Sequence, residues 1–237
     1  MARISELTIE NEAESLRDTF NLSNRLPVDI QGLLLQQSIL SVFTPLSDGF
    51  SGMCLKYKAG TNFILVNSNM SLGRQRFTIS HELYHLFVQN ANEFKVHSCN
   101  INNPDSPIER HANNFASLFL LPYSGVSEMM RKMKCSKVNI NPAHIIEMCE
   151  YFGVSYKAML IRVEKILNLE KGQSELLDVI SPVKSAKGYG LPYDVFEIPQ
   201  IKNRVLGDYA AIAQSLYDSG KISKGHLIEL LSDIKFD

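Results

Sequence analysis

The pentapeptide His81-Glu82-Leu83-Tyr84-His85 places two histidines four residues apart, with a glutamate directly after the first. On an α-helix, positions i and i+4 lie about 40° apart around the axis and about 6 Å apart along it, so His81 and His85 project from one face. That spacing suits two imidazole ligands on one Zn²⁺. Glu82 lies on the same side of the helix. Its direction does not suit a third metal ligand, but it can take a proton from a metal-bound water. The stretch therefore predicts a catalytic zinc helix.

The neighbouring residues predict that this helix is buried. Apolar side chains fill a broad arc opposite the two histidines: Phe77, Ile79, Leu83, Tyr84, Leu86, Phe87 and Val88. A helix that is apolar over most of its circumference belongs in a core. The alternative is a core helix without metal, whose two histidines are satisfied by neighbouring carbonyls.

Composition limits the class of protein. The chain has 237 residues, of which 45% are apolar, enough for a sizeable core. Its 24 Lys and Arg balance 25 Asp and Glu, so no basic footprint predicts direct binding of nucleic acid. The four cysteines form no Cys-x-x-Cys, which fits reduced thiols. Neither a signal peptide nor a membrane-spanning run is present in the sequence, so we expect a cytoplasmic protein.

The segments before the motif predict an α+β fold. Residues 5–20 predict a surface helix, and Pro27 opens a second one. The stretches 38–43, 53–57 and 63–66 predict strands, the last two joined as a hairpin. We expect a small antiparallel sheet packed against the zinc helix, with a mostly helical remainder. An exposed edge of this sheet can hold a substrate peptide as an added strand; alternatively, the hairpin is only structural support.

A third metal ligand is expected on the next helix, which opens with Ser106-Pro107-Ile108-Glu109. Glu109 could simply complete a capping box with Ser106. However, it shares a helix face with small residues that allow close helix approach, whereas His111 points nearly opposite. We therefore prefer Glu109 as the ligand that completes a His₂Glu zinc set.

Asn113 lies one helical turn after Glu109. From there its side chain can orient Glu109 or His81 behind the ligand shell. The alternative is an ordinary asparagine on the face of a helix.

Two stretches together resemble the ImmA/IrrE family of zinc metallopeptidases: FTISHELYHLF at 77–87 and ERHANNFASLFLLP at 109–122. The family pattern reads roughly R-x-x-F-T-x-A-H-E-L-G-H and then E-x-x-A-N-x-F-A-x-x-L-L-x-P. The resemblance covers about residues 25–167 and implies a glu-zincin-like domain within 1–167, with zinc on His81, His85 and Glu109 and Glu82 as general base. Tyr84 and His111 depart from the pattern, where glycine and an acidic residue are usual.

The same resemblance implies a substrate class. Family members of known role cleave a helix-turn-helix repressor and thereby switch on a mobile-element or stress programme. For this chain the repressor would be a separately encoded polypeptide. The competing hypothesis is a zinc-stabilised, non-catalytic protein that captures a repressor or another partner without cleaving it.

Other candidates lie outside the two motifs. Residues 90–105 predict a loop beside the site, and its His97 and Cys99 could approach the open position of the metal. Tyr57, His97 and Tyr123 are unranked candidates for stabilising an oxyanion.

The last 70 residues carry no chemical motif. Pro, Gly, Ser and Lys predict a linker at 168–192. A helical C-terminal extension follows at 193–237, with helices at 203–217 and 222–234. This extension could dock on the catalytic domain, bind a partner or dimerise.

Overall fold

The computed structural model describes residues 5–56, 62–89, 96–100 and 106–232. Its α-helices are α1 Glu6–Thr19, α2 Ile30–Gln36, α3 Leu72–Leu83, α4 Pro107–Leu120, α5 Tyr123–Lys132, α6 Pro142–Phe152, α7 Tyr156–Leu167, α8 Lys171–Leu177, α9 Pro182–Tyr189, α10 Tyr209–Asp218 and α11 Lys224–Ser232. Its strands are β1 Ile39–Thr44, β2 Phe50–Lys56, β3 Asn62–Asn67, β4 Val96–Asn100 and β5 Arg204–Leu206. A π-helical turn, Tyr84–Val88, continues α3, and a 3₁₀ turn, Asp194–Phe196, precedes β5.

The five strands form one sheet in the order β4-β2-β3-β1-β5, which confirms the predicted α+β class. The hairpin of β2 and β3 is antiparallel, as expected, but β1 and β3 run parallel. The sheet is therefore mixed, and the prediction of an antiparallel sheet was wrong in this respect. The reason is that β2 does not fold back onto β1. Instead, β3 inserts between β1 and β2, a pairing between distant residues that local sequence patterns do not encode.

The helix that carries the first histidine packs closely on this sheet. A methyl group on Gly52 of β2 would lie 2.6 Å from Cγ2 of Thr78 on α3, so only glycine permits this approach. Two residues further along β2, Cys54 is buried and faces Glu82 closely enough to influence its charge. The close contact between α3 and β2 thus holds the helix that carries His81 and Glu82 against the sheet.

Helix α4 packs against both α3 and the N-terminal helix α1, and of the three helices α3 makes the main contact with the sheet. Ile9, Ala13 and Leu16 of α1 are buried in the main core, while its other side is exposed. Ion pairs of 2.6 Å join Glu10 to Arg162 and Glu6 to Lys165, linking α1 to α7. The predicted surface helix is therefore a packed part of the domain.

The predicted loop at 90–105 contains a strand, β4, so that prediction was wrong for residues 96–100. β4 pairs antiparallel with β2, its Cα positions His97 and Cys99 standing opposite Cys54 and Gly52. The remaining positions, 90–95 and 101–105, lie outside the described residues. The segment 90–105 is polar and rich in Asn, a composition that disfavours strands, so the sequence pattern did not predict β4. The strand forms because its backbone pairs with the backbone of β2.

The predicted linker at 168–192 was also wrong, because α8 and α9 lie within it. Ser181 caps α9 through a hydrogen bond from Lys184 N, Pro182 occupies its first turn, and Gly190 ends it at a φ of 69°. These turn-forming residues are start and stop signals of a helix rather than a sign of irregular chain. Leu177 and Ala186 are buried in the main core.

The C-terminal extension docks on the preceding part of the chain, one of the three alternatives left open by the sequence. Val195 is buried in the main core, and β5 pairs with β1 through Val205 opposite Val42. Helices α10 and α11 confirm the two predicted helices, although the first begins later because 204–206 form β5. The division at residue 167 stays a prediction, since side chains on both sides of it belong to one core.

Within the described parts of the chain, every helix is too short or too polar to cross a membrane.

Candidate metal centre

The His81–His85 motif lies where α3 passes into the π-helical turn. His81 and Glu82 lie in the last turn of α3, whereas His85 lies on the π-helical turn. A 2.8 Å hydrogen bond from Gln89 N to Tyr84 O closes that turn. The sequence predicted one continuous α-helix, and the widened turn is a difference from that expectation. All three motif side chains are nearly inaccessible, with His81 1%, Glu82 0% and His85 5% exposed.

Three candidate ligands meet at one point. Nε2 of His81 lies 3.1 Å from Nε2 of His85 and 3.0 Å from Oε2 of Glu109, and Nε2 of His85 lies 3.6 Å from Oε1 of Glu109. A tetrahedral ion held at about 2.0–2.2 Å separates its ligand atoms by roughly 3.3–3.6 Å. The cluster is the right size for one metal ion. Within the described residues, these three form the group of His, Cys, Asp and Glu that could hold a metal.

The capping alternative for Glu109 is not supported, because the Ser106 side chain makes no capping hydrogen bond. His111 turns away from the cluster, as expected. Its Nε2 lies 2.5 Å from Oε2 of Glu12 on α1. The close approach of α3 and α4 therefore brings Glu109, and not His111, to the two motif histidines.

Each motif histidine is held from behind by a neutral amide oxygen. Nδ1 of His81 lies 3.0 Å from Oδ1 of Asn113, the contact expected of a residue behind the ligand shell. Nδ1 of His85 lies 2.5 Å from Oε1 of Gln89. Sequence reasoning missed Gln89, although a residue four positions after a helical histidine lies on the same face and could have been considered.

The carboxylate of Glu82 is fully buried and poorly hydrogen-bonded. Neither oxygen has a hydrogen-bond partner of normal geometry among the described residues. Burial raises the pKa of Glu82 to about 7; the charge of His81 and the thiol of Cys54 oppose this rise, and Glu109 adds to it. Beyond the weak contact with the Cys54 thiol, buried carboxylate oxygens that no donor reaches require another polar partner. A metal ion with its water at the adjacent cluster would supply one, so the residues present fit a catalytic metal site.

The remaining candidates of the sequence lie elsewhere or are not described. Tyr57 is outside the described residues. The exposed ring of Tyr123 lies under the guanidinium of Arg162, with Cζ 5.9 Å from the ring centroid. The backbone of His97 and Cys99 lies in β4, and β4 rather than the hairpin stands at the end of the described sheet. Roles for these side chains stay predictions.

The fold and the site define a metallopeptidase-like domain: two histidines on one helix and a glutamate on the next, packed on a small mixed sheet. The peptidase family model described as the IrrE N-terminal-like domain matches residues 38–164, more than half of the chain. The protein belongs to this family, which confirms the resemblance to ImmA/IrrE peptidases. No curated protein matches the chain.

Proposed function

We propose that the protein is a zinc-dependent endopeptidase. The observation that carries this proposal is the meeting of His81, His85 and Glu109 at one point, with the buried carboxylate of Glu82 beside them. Two imidazoles and one carboxylate are the ligand set of many catalytic zinc sites, which keep a fourth position open. A structural zinc usually has four protein ligands and does not need Glu82.

The residues of the chain divide the chemistry between them. His81, His85 and Glu109 would hold the ion, which when bound supplies a Lewis acid that polarises a peptide carbonyl and acidifies water. Glu82 takes a proton from the attacking water and passes it to the leaving amine. Its raised pKa, about 7, suits both transfers, because a base near the working pH can accept and return a proton. Asn113 keeps Nε2 of His81 directed at the ion.

We infer a protein substrate, and the helix-turn-helix repressor implied by family membership is its proposed identity. The balance of 24 basic and 25 acidic residues supports action on a protein rather than direct binding of nucleic acid. The repressor would be encoded separately, and cleavage would relieve repression of a mobile element or stress programme. Such a substrate places the reaction in the cytoplasm.

A comparison of the wild type with Glu82→Gln at equal zinc content tests the catalytic proposal. The genes beside this one supply candidate repressors, which are incubated with each protein, and the fragments are identified by mass spectrometry. Wild type should produce defined fragments, while Glu82→Gln should bind zinc equally and lose at least about 100-fold of the rate, because general base catalysis is removed. If wild type and variant relieve repression equally and no fragment forms, the protein is a non-catalytic binder.

A further inference from the structure

The π-helical turn Tyr84–Val88 sets the position of His85. Such turns are rare and are frequently found at functional sites. The turn ends at Gln89, whose φ of −62° and ψ of 119° take the backbone out of the helix. No further helical N–H groups follow, so the last carbonyls of the helix must accept hydrogen bonds from other groups.

Two side chains hold this turn from outside the helix. Nζ of Lys56, on β2, donates a 2.9 Å hydrogen bond to the carbonyl of Leu86. A cation at this end of a helix is also favoured by the helix dipole. Gln89 turns back so that its Oε1 lies 2.5 Å from Nδ1 of His85. The ligand histidine is thus held through its own ring and through the backbone next to it.

An amide oxygen accepts hydrogen bonds but does not donate them. With Oε1 of Gln89 at Nδ1, the proton of the neutral imidazole belongs on Nδ1, and the lone pair stays on Nε2. Nε2 is the atom that faces His81 and Glu109. We propose that Gln89 is a positioning residue that fixes the tautomer and direction of His85 for metal binding, with Lys56 holding the turn on which His85 lies.

This inference rests on the proposed metal site and adds to it. Asn113 and Gln89 make equivalent contacts with the two histidines. Oδ1 of Asn113 lies 3.0 Å from Nδ1 of His81, and Oε1 of Gln89 lies 2.5 Å from Nδ1 of His85. The two amides come from different elements, α4 and the end of the π-helical turn. The pair is consequently independent: loss of one amide should release one histidine and leave the other oriented.

The test measures zinc affinity by chelator competition for the wild type, Gln89→Leu, Gln89→Glu and Gln31→Leu. Gln89→Leu keeps the approximate size of the side chain and removes the acceptor, so it should weaken zinc binding about 10- to 100-fold. Gln89→Glu keeps an acceptor and should stay within about threefold of the wild type. Gln31 is exposed on α2, and its replacement by leucine controls for the loss of a glutamine.

A second readout does not depend on metal. In the zinc-free protein, ¹⁵N chemical shifts of the His85 ring report which nitrogen carries the proton. The wild type should show the Nδ1–H form, and Gln89→Leu should shift the population toward Nε2–H. Lys56→Met should weaken zinc binding without changing the His85 tautomer, because Lys56 contacts the backbone carbonyl and not the ring.

The outcomes separate this inference from the proposed function. If wild type and His85→Ala bind zinc equally, or if neither binds it, the metal site itself is wrong. If wild type binds zinc through His85 but Gln89→Leu matches it in affinity and tautomer, the role of Gln89 is wrong. Equal losses in Gln89→Leu and Gln89→Glu would also overturn it. Should Gln89→Leu fail to fold, an Nε2–H tautomer in zinc-free wild type would be enough to reject the role.

Discussion

The phenol ring of Tyr84 stacks on the imidazole of His111, with ring centroids 4.9 Å apart and 30° between the ring planes. Both positions carry a residue that is unusual in the ImmA/IrrE family, and the two side chains contact each other across two helical elements. Tyr84 also packs edge-on against His85, at a centroid distance of 5.4 Å. His111 in turn contacts Glu12 of α1. The ring of Tyr84 therefore fills the space between the π-helical turn, α4 and α1.

Replacement of Tyr84 should reveal this packing role. Tyr84→Ala should lower the free energy of unfolding by about 3–5 kcal/mol, because it removes a buried ring and leaves a cavity. Tyr84→Phe keeps the ring and should stay within about 1 kcal/mol of the wild type. Urea unfolding of the three proteins at equal zinc content gives both numbers. An alanine variant as stable as the wild type would show that the stack carries no packing energy.

Glu109 and His111 should differ in metal binding, although they lie two residues apart. Glu109→Ala should lose stoichiometric zinc, since its carboxylate belongs to the cluster. His111→Ala should keep one zinc per chain and lose only stability, because its ring faces Glu12. Metal analysis after gel filtration distinguishes them. Zinc retained by Glu109→Ala and lost by His111→Ala would reverse the assignment of the third ligand.

Arg17 should be the most sensitive position of α1. Its side chain is 1% exposed, and its guanidinium donates to the carbonyls of Ser23, Leu26 and Phe119. Burial lowers the pKa of Arg17 to about 10, which leaves it charged at neutral pH. Arg17→Ala leaves these carbonyls unsatisfied and should cost about 3 kcal/mol or more of unfolding free energy.

Two matched variants make the measurement on Arg17 specific. Arg17→Lys should recover little of the loss, because one ammonium group cannot reproduce the planar set of donors. Arg25→Ala removes an exposed arginine nearby and should change the free energy by no more than about 0.5 kcal/mol. Equal effects at positions 17 and 25, measured by thermal unfolding, would argue against a structural role for the buried guanidinium.

Two helical glycines should respond to alanine with opposite signs. A methyl group on Gly73 of α3 would lie 2.8 Å from the backbone of Val154 and Ser155, so Gly73→Ala should cost about 1–3 kcal/mol. Around Gly188 of α9 no described atom lies within 4 Å of such a methyl group, so Gly188→Ala should stabilise the helix by about 0.5–1 kcal/mol. Denaturant midpoints compare the two, and a neutral Gly73→Ala would mean that α3 is not so tightly packed.

Truncation should show where the folded unit ends. A chain ended after residue 167 loses the buried side chains of Leu177, Ala186 and Val195 and should be destabilised by about 4 kcal/mol or more. A chain ended after residue 207 keeps them and β5, and loses α10 and α11, which pack mainly on each other. The longer fragment should unfold like the full chain in circular dichroism. Equal stability of the two fragments would support an independent domain at 1–167.

Much of the candidate site could be predicted because its residues follow local spacing rules. The i, i+4 spacing of His81 and His85, and the helix face shared by Glu109 and Asn113, follow from the geometry of a single helix. The positions of the β2–β3 hairpin and of most helices were predictable for the same reason. Pro182 and Gly190 mark the start and the end of α9. Because such residues are also common in irregular segments, their concentration at 168–192 favoured a linker over two short helices.

Residue types and their spacing are enough to predict which side chains could hold a metal and which one could move a proton. Tertiary structure decided which of them meet: packing of α3 against α4 brought Glu109 to the histidines and left His111 with Glu12. It also decided the parallel pairing of β1 with β3 and the π-helical turn that places Gln89 on His85. Local periodicity is set by backbone geometry and can be calculated for one segment, whereas these contacts depend on packing between segments far apart in the chain.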